Sequence, residues 1–443
     1  MSELIEMVFT ECVEWFKDWV ATDPPTLVDE WDLMEWLEHE MKEATDMFLS
    51  HAFHSARARN DAVMILRALY YEYFLFQQQI SQASIKPNPE ATERLPRQPQ
   101  TAQKSAAWHA EARDMLSGHE FGGICVGGPA ERNSVLAKKC TPEVVVAVAE
   151  TEEEEAPSQT VFLTDEDGKL SPFKWGWRYE PVARQLFETC VSHAPVFDGL
   201  GRVRHPTLPR LGASPDGLVM GGPRAGRLVE IKCPITREIN GSIPIRYYCQ
   251  MQLQAEVCDV DAVDYIEVQF GAAPASAVLP DIIKKTKQPW IGKVCVVSPA
   301  AEALPSAYMY EYSPLFPATE EGYAQCLAWR PVVSETALLL EECVWYVKDW
   351  FTTTVVRNRR WWETVGYPAY VEFWKTADEA RADGRFKSRP LFLDSESETE
   401  TEPEPEPEAE KEKDGDEDTA KANSGPVWQG VESDSESDTK ENT

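Results

Sequence analysis

The stretch that decides the fold of this 443-residue chain is Leu211-Gly-Ala-Ser-Pro-Asp-Gly-Leu-Val219, followed by Leu228-Val-Glu-Ile-Lys-Cys-Pro234. Asp216 lies in a Pro-Asp-Gly turn that leads into a strand. Glu230 and Lys232 stand two residues apart, so they point to the same face of the second strand, and their apolar neighbours point to the other. The pattern therefore predicts that two carboxylates and one ammonium group meet at one edge of a sheet.

These groups suit the hydrolysis of a phosphodiester. Two carboxylates can hold Mg²⁺, which prefers oxygen ligands, and the backbone carbonyl of Ile231 can add a further ligand. Bound Mg²⁺ polarises a phosphodiester and lowers the pKa of a bound water. Lys232 can position that water and offset developing negative charge. The alternative is a buried ion pair, and the Asp…Glu-x-Lys pattern alone does not separate the two.

Two predicted helices add polar groups that can reach this edge. The segment Lys174-Trp-Gly-Trp-Arg-Tyr-Glu-Pro-Val-Ala-Arg184 opens a helix and offers Glu180 as a third carboxylate. The segment Tyr247-Tyr-Cys-Gln-Met-Gln-Leu-Gln254 places Gln250 and Gln254 on one helix face, because they are four residues apart. These amides can hydrogen-bond the strand that bears Glu230 or hold a metal-bound water.

A further segment suggests a grip for phosphate. Trp108-His-Ala-Glu-Ala-Arg113 is followed by Leu116-Ser-Gly-His-Glu-Phe-Gly-Gly-Ile124. A small hydroxyl and an arginine at the start of a helix are typical of phosphate binding.

In this order, the blocks resemble the lambda-exonuclease/YqaJ-type viral recombinase family of the PD-(D/E)XK nuclease superfamily. The resemblance runs from about Trp108 to Val297, which is less than half of the chain. The Ser-Pro-Asp-Gly-Leu-Val…Glu-Ile-Lys-Cys-Pro pair is its most specific element. The helix motif Gly-x-x-x-Glu-Pro-x-Ala from Gly176 and the Tyr-Tyr-x-Gln-x-Gln-x-Gln helix match as well. The stretch from Val196 to Pro206 resembles the family's hairpin before the Asp strand.

The resemblance implies a mixed α/β fold: a restriction-endonuclease-like core with a central mixed sheet flanked by helices, and helical N- and C-terminal extensions. It implies a deoxyribonuclease that digests linear double-stranded DNA 5′→3′ to 5′-mononucleotides and leaves 3′ overhangs for viral or phage recombination. The cofactor would be one or two Mg²⁺ ions, for which Mn²⁺ can substitute. Residues carried over as metal ligands are Asp216, Glu230, Glu180 and the carbonyl of Ile231, with Lys232 and Gln250 joining the two carboxylates as catalytic groups. Contacts to DNA or its 5′-phosphate are carried over to Arg113, Ser117, His119, Ser214 and Gln254.

The first block departs from the family pattern. The spacing from Trp108 to Arg113 is one residue longer than usual, and His119 stands where the family has a serine. A 5′-phosphate preference and strict exonuclease polarity are therefore the least supported of the implied properties.

Composition divides the chain into five predicted parts. We expect a helical N-terminal domain over residues 1–83 and a Pro-rich linker over 84–104. An exonuclease core with an acidic loop at 150–172 follows over 105–300. A helical C-terminal extension is expected over 301–390. A disordered acidic tail is expected over 391–443, because this segment has too few apolar residues to fold.

The net charge of −32 does not exclude a DNA-binding protein. It resides in the first 50 residues, the glutamate run from Glu150 and the tail, so the remaining body is neutral. No apolar run is long enough for a membrane span. The N-terminus lacks the basic region of a signal peptide, and the ten cysteines form no Cys-x-x-Cys pair. We therefore expect an intracellular protein, in the nucleus or cytoplasm of a host, that is not secreted and has no membrane partner.

Double-stranded DNA ends are the expected substrate. Relatives often act beside a single-strand annealing protein, which the N-terminal helices or the tail could dock. Relatives include both ring-shaped trimers and monomers, so a homo-oligomer stays open. Two alternative functions also stay open: a structure-specific or endonucleolytic DNase on the same core, and an inert scaffold that binds DNA or protein. The intact Asp216, Glu230 and Lys232 set argues against the scaffold, since the chemistry needs all three.

Overall fold

The structure, a computed structural model, describes residues 3–22, 30–37, 41–103, 105–141, 163–164, 170–274 and 288–386. The predicted disordered tail and most of the predicted acidic loop lie outside these residues. No described helix is both long enough and apolar enough to cross a lipid bilayer.

The helices are numbered in chain order over the described residues. They are α1 (Glu3–Thr22), α2 (Glu30–Glu35), α3 (Met41–Ala52), α4 (Ala56–Ser84), α5 (Pro89–Arg97), α6 (Ala106–Ala112), α7 (Gly118–Cys125), α8 (Pro129–Cys140), α9 (Pro172–Phe187), α10 (Ile245–Cys258), α11 (Glu320–Ala328), α12 (Arg359–Trp361) and α13 (Tyr367–Ala382). Short π-helical segments continue α9 over Glu188–Ser192 and α12 over Trp362–Gly366.

The strands form a large mixed sheet and a small one. They are β1 (Gln100–Thr101), β2 (Val196–Phe197), β3 (Arg202–Arg204), β4 (Gly212–Ala213), β5 (Gly217–Val219), β6 (Leu228–Lys232), β7 (Ala262–Pro274), β8 (Trp290–Ser298), β9 (Met309–Tyr312), β10 (Phe316–Pro317) and β11 (Leu338–Val356). The large sheet has the order β10-β8-β11-β7-β6-β5-β2, with β9 also paired to β8, and the small sheet has the order β1-β3-β4. The pair β6–β7 is parallel and the other pairs are antiparallel.

Helices cover both faces of the large sheet next to β6. Val229 and Ile231 face α9, where they pack with Val182 and Phe187. The other face, which bears Glu230, packs against α10. This alternation along β6 follows from the two-residue repeat of a strand, and it confirms the predicted mixed α/β core with a helix-flanked sheet.

The predicted N-terminal helices are present as α1 to α4, and they share a core of their own. Its members are apolar residues at helical spacing on α1 to α4, together with Trp36 just after α2 and Phe53 just after α3. Asn358 joins this unit to the rest of the chain, because its side-chain amide donates to Asp32 at 3.0 Å.

Residues 84–104, predicted as a Pro-rich linker, instead contain α5 and β1. Pro89 stands in the first turn of α5, where a missing N–H costs no hydrogen bond, and Asn88 caps the helix by accepting from the Ala91 N–H at 3.0 Å. Ala91 and Leu95 are fully buried in the main core. Proline count was therefore a poor guide here, because Pro89 starts the helix and Pro96 comes only in its last turn.

The helical C-terminal extension predicted over 301–390 is wrong for much of its length. The 19-residue strand β11 lies between β7 and β8 in the centre of the large sheet. Val344 and Tyr346 pack into one core and Trp345 and Val347 into another. Where a strand is buried on both faces, as β11 is over 344–347, it has no polar–apolar alternation. Its apolar and aromatic sequence therefore resembles that of a buried helix. Helix α13 does follow, as predicted.

Candidate active site

The antiparallel pair β5–β6 brings Asp216 against the strand that carries Glu230 and Lys232. Gly217, at the start of β5, pairs with Val229. Asp216, just before it, accepts a hydrogen bond from the Ile231 N–H through Oδ2 at 2.7 Å. The predicted meeting of these residues at one place in the sheet is therefore found.

Glu230 is held at both carboxylate oxygens. Gln250 donates from Nε2 to Oε1 at 2.7 Å, and Gln254 donates from Nε2 to Oε2 at 2.6 Å. The Glu230 side chain is only 1% exposed. Two amides one helical turn apart on α10 thus fix the orientation of a buried carboxylate, as their four-residue spacing indicated.

Lys232 lies between Glu230 and an aromatic ring. Its Nζ is 2.9 Å from Glu230 Oε1 and 4.7 Å from the centroid of the Tyr247 ring. The ammonium therefore has an ion-pair partner and a cation–π contact, which together restrict a flexible side chain.

Negative charge accumulates around Asp216. Burial raises the pKa of Asp216 well above its usual range, and the charges of Glu230 and Glu180 raise it further. Lys232 and the Ile231 N–H oppose this effect. Glu180, on α9, is therefore close enough to act electrostatically on the same place.

The groups present suit a hard divalent cation, although they do not yet form a closed cage. Within the described residues, no three His, Cys, Asp or Glu side chains are grouped closely enough to hold a metal ion. The donor types are nevertheless carboxylate and carbonyl oxygens, which Mg²⁺ prefers, and Mg²⁺ commonly keeps waters in its remaining positions. The pKa of Asp216 is raised first by burial and then by the charges of Glu230 and Glu180, and such a cation would offset that negative charge.

Comparison with known proteins assigns a domain to this region. Residues 107–261 match the YqaJ-like viral recombinase domain. The match spans about a third of the chain and contains every predicted site residue. It confirms the resemblance inferred from the sequence and, with it, the prediction of a DNA nuclease. No curated protein sequence matches the chain.

Two solved structures of one enzyme are also similar. The chain shares 15% identity with the alkaline exonuclease LHK-Exo from Laribacter hongkongensis, over 63% of this chain and 98% of that one, with a TM-score of 0.33. For LHK-Exo in complex with dAMP the identity and coverage are the same, and the TM-score is 0.30.

In the YqaJ-like domain, the predicted phosphate-binding residues lie around the start of α7. Ser117 caps this helix, and both its N–H and its hydroxyl lie 3.2 Å from Glu120 Oε2. Lys139, which is almost fully buried, lies 2.6 Å from both Glu120 oxygens. The Ser117 hydroxyl thus already has a partner within the protein, and the Glu120 carboxylate is ion-paired with Lys139.

Arg113 and His119 are better placed to meet a ligand. His119 is exposed in the first turn of α7. Arg113 is half-buried at the end of α6, and no carboxylate among the described residues pairs with its guanidinium. Helix α7 approaches the candidate catalytic residues directly, because a Cβ on Gly118 would lie 2.9 Å from Cγ of Gln250.

Two residues assigned to DNA contact have other partners in the YqaJ-like domain. Ser214 accepts a hydrogen bond from Trp108 Nε1 at 3.2 Å. Gln254 is buried beneath Glu230 with 1% of its surface exposed, so it cannot touch DNA in this arrangement. Its contact is with the strand that bears Glu230, as the helix spacing allowed.

Sequence reasoning missed two groups of residues around the YqaJ-like site. Arg202 stacks 4.2 Å from the Trp108 ring centroid and donates to the Trp108 carbonyl at 2.6 Å, which positions Trp108 for Ser214. Glu267, an acid within the apolar strand β7, is completely buried and pairs with Arg237. An acid inside an apolar strand was a signal for Glu267, but nothing in the sequence indicated its partner.

Proposed function

We propose that this protein is a divalent-metal-dependent exonuclease that digests linear double-stranded DNA from its 5′ ends. The observation that carries the proposal is the geometry of Glu230. A buried carboxylate is fixed by two glutamine amides, touches Lys232 and lies one strand away from Asp216. A buried ion pair that served stability alone would not need a second carboxylate, Asp216, hydrogen-bonded to the same strand.

Asp216 and Glu230 would hold the metal, with Glu180 and the Ile231 carbonyl as further ligands. Mg²⁺ is the expected ion, and when bound it would polarise the scissile phosphate and make water a stronger nucleophile. Lys232 would orient the attacking water and offset negative charge on the phosphate. Gln250 and Gln254 would keep Glu230 in position while DNA enters and leaves.

The 5′→3′ direction is supported by the place of α7. His119 is exposed in its first turn, Arg113 precedes it in the chain, and Gly118 lies against Gln250, so the start of α7 is near the proposed catalytic residues. An arginine guanidinium binds phosphate well, and a terminal 5′-phosphate is the anion that a DNA end supplies. The products would be 5′-mononucleotides and a 3′ overhang, which is the substrate for strand annealing in recombination.

The test uses linear duplex DNA labelled at the 5′ end or at the 3′ end, with covalently closed circular DNA alongside. In Mg²⁺ we expect immediate release of labelled mononucleotide from the 5′-labelled duplex, late release from the 3′-labelled duplex and no cutting of the circle. EDTA should abolish the release. Cutting of the circle would favour the endonuclease, and DNA binding without any hydrolysis would favour the scaffold.

A further inference from the structure

A row of polar side chains on β7 runs beside the catalytic residues. Tyr265, Glu267 and Gln269 alternate with apolar residues, so they share one face of the strand. In the parallel pairing with β6, Tyr265 stands opposite Glu230 and Glu267 stands opposite Lys232. Neighbouring strands lie roughly 4.8 Å apart, so a second buried carboxylate stands next to the catalytic lysine.

The loop after β6 brings a cation back over this carboxylate. Gln269 donates from Nε2 to the carbonyl of Ile235 at 2.9 Å, which anchors the loop to β7. Arg237 follows two residues later, and its guanidinium forms an ion pair with Glu267. The Glu267 side chain is 0% exposed and that of Arg237 is 23% exposed, so the buried charge is neutralised from the solvent side.

The Tyr247 ring is shared by two cations. Lys232 Nζ lies 4.7 Å from its centroid and Arg237 Cζ lies 5.7 Å from it. Each cation also has its own carboxylate, since Lys232 pairs with Glu230 and Arg237 pairs with Glu267. Two ion pairs thus lie beside one aromatic ring that both of their cations contact.

We propose that Arg237 and Glu267 are positioning residues that direct the Lys232 ammonium to Glu230. Without the guanidinium, the buried Glu267 carboxylate would attract the neighbouring ammonium and draw it away from Glu230 and the reacting phosphate. With Arg237 in place, the charge of Glu267 is paired, and the Lys232 ammonium stays on Glu230. This inference rests on the proposed function, because it explains how the lysine of that site is kept in place.

The test is a mutant cycle measured on the full chain with linear duplex DNA and Mg²⁺. Arg237→Met should lower kcat by about 10- to 100-fold, while KM for DNA changes less than about twofold, because the lysine is misplaced and DNA binding is not. Arg237→Lys keeps the charge and should recover much of the loss. The double variant Arg237→Met/Glu267→Gln removes both charges and should return kcat to within about tenfold of the wild type.

A second readout separates positioning from direct contact with DNA. Affinity for duplex DNA in EDTA, measured by fluorescence anisotropy, should be the same for the wild type and all three variants. Loss of that affinity in both Arg237→Met and the double variant would mean that Arg237 grips a phosphate, and would overturn the proposal. A double variant as inactive as Lys232→Ala would overturn it as well.

The cycle remains decisive if Arg237→Met fails to fold with an unpaired buried carboxylate. The double variant has no such charge, and its kcat relative to the wild type then carries the test, with thermal unfolding as the control for folding. An inactive wild type would contradict the proposed function itself, whereas an active wild type without rescue contradicts only the roles of Arg237 and Glu267.

Discussion

At the scale of single residues, the site depends on how a buried carboxylate is satisfied. A charge as deeply buried as that of Glu230 is tolerated only when each of its oxygens has a partner. Gln250 and Gln254 supply one donor each, and Lys232 supplies the compensating charge. The three glutamines of the Tyr-Tyr-x-Gln-x-Gln-x-Gln helix therefore have different structural roles. The middle one, Gln252, donates to the Val356 carbonyl and accepts from the Asn358 N–H. These backbone groups are distant in sequence from Asp216 and Glu230.

Gln250→Leu is expected to lower kcat by about 10- to 100-fold, as removal of a residue that orients a metal ligand usually does. The leucine cannot donate to Glu230 Oε1, so the carboxylate loses its fixed orientation. Steady-state digestion of linear duplex DNA measures the effect.

Gln252→Leu is the matched control, because it removes the same amide from the same helix. It should lower the free energy of unfolding by about 1–3 kcal/mol, since it leaves buried backbone groups unpaired, and it should leave kcat of the folded protein within a few-fold. Equal kcat losses for the two variants would contradict the different roles assigned to Gln250 and Gln252.

At the scale of elements, the close crossing of α7 and α10 connects the predicted phosphate-binding residues to the proposed catalytic residues. Gly118 and Gly122 lie one turn apart on α7 and face α10. An added Cβ on Gly118 would meet the flexible side chain of Gln250, whereas one on Gly122 would lie 3.0 Å from the Cα and carbonyl oxygen of Arg246. The same substitution should therefore have different consequences at the two positions.

Gly118→Ala should reduce activity with little loss of stability. Its methyl group displaces Gln250 from Glu230, while the better helix propensity of alanine offsets part of the strain. Gly122→Ala presses on backbone, so the helices must separate, and we expect a loss of about 1–3 kcal/mol in unfolding free energy. Chemical denaturation of both variants measures the unfolding free energy, and steady-state digestion of DNA measures kcat. A Gly118→Ala protein with full activity would show that the glycine does not make room for Gln250.

The sequence predicted those elements whose pattern is local. The alternation around Glu230 identified β6, and the four-residue spacing of glutamines identified the working face of α10. β11 was not predicted because its buried segment faces apolar residues on both sides and so lacks alternation. α5 was not predicted because Pro89, which was interpreted as part of a linker, stands at a helix start. The Arg237–Glu267 pair depends on strand register between residues 30 apart in the chain, which no local pattern encodes.

At the scale of the whole molecule, the candidate site depends on residues well beyond the matched domain. β7 lies entirely after residue 261, and β11 pairs with it along 13 positions before it reaches α12. The start of β11 also binds α9, since Glu341 Oε1 accepts from the buried Arg178 guanidinium at 2.5 Å. The sheet that carries Glu230 is therefore completed by the C-terminal part of the chain.

A fragment of residues 84–300 should fail to fold, because it lacks the central strand β11 and leaves β7 and β8 with unpaired edges. A fragment of residues 84–386 keeps that strand and should unfold cooperatively. Circular dichroism during thermal unfolding compares the two. A cooperative transition for the shorter fragment would contradict the central role of β11.

Alkaline pH should destabilise the protein. Burial raises the pKa of the Cys258 thiol from its ordinary value of 9.0 to about 12. The folded state thus keeps a proton that the unfolded state releases, so this contribution is complete below pH 9 and is lost as the pH rises towards 12. At pH 10 one such thiol accounts for about 1 kcal/mol.

Guanidinium unfolding at pH 8 and pH 10 measures this loss. Burial also raises the pKa of Cys295 to about 12 and that of Cys12 and Cys326 to about 11, so several thiols contribute in the same direction. In Cys258→Ala the difference between the two pH values should shrink. An unchanged difference would remove Cys258 from the account.

The central claim is that Asp216, Glu230 and Lys232 form the centre that hydrolyses DNA. The most direct measurement is the release of mononucleotides from linear duplex DNA in Mg²⁺ by the wild type, by Lys232→Met and by Lys375→Met. Lys375 is an exposed lysine on α13, so its variant makes the same change away from the site. We expect hydrolysis by the wild type and Lys375→Met and none above background by Lys232→Met. Equal hydrolysis by all three proteins would contradict the claim.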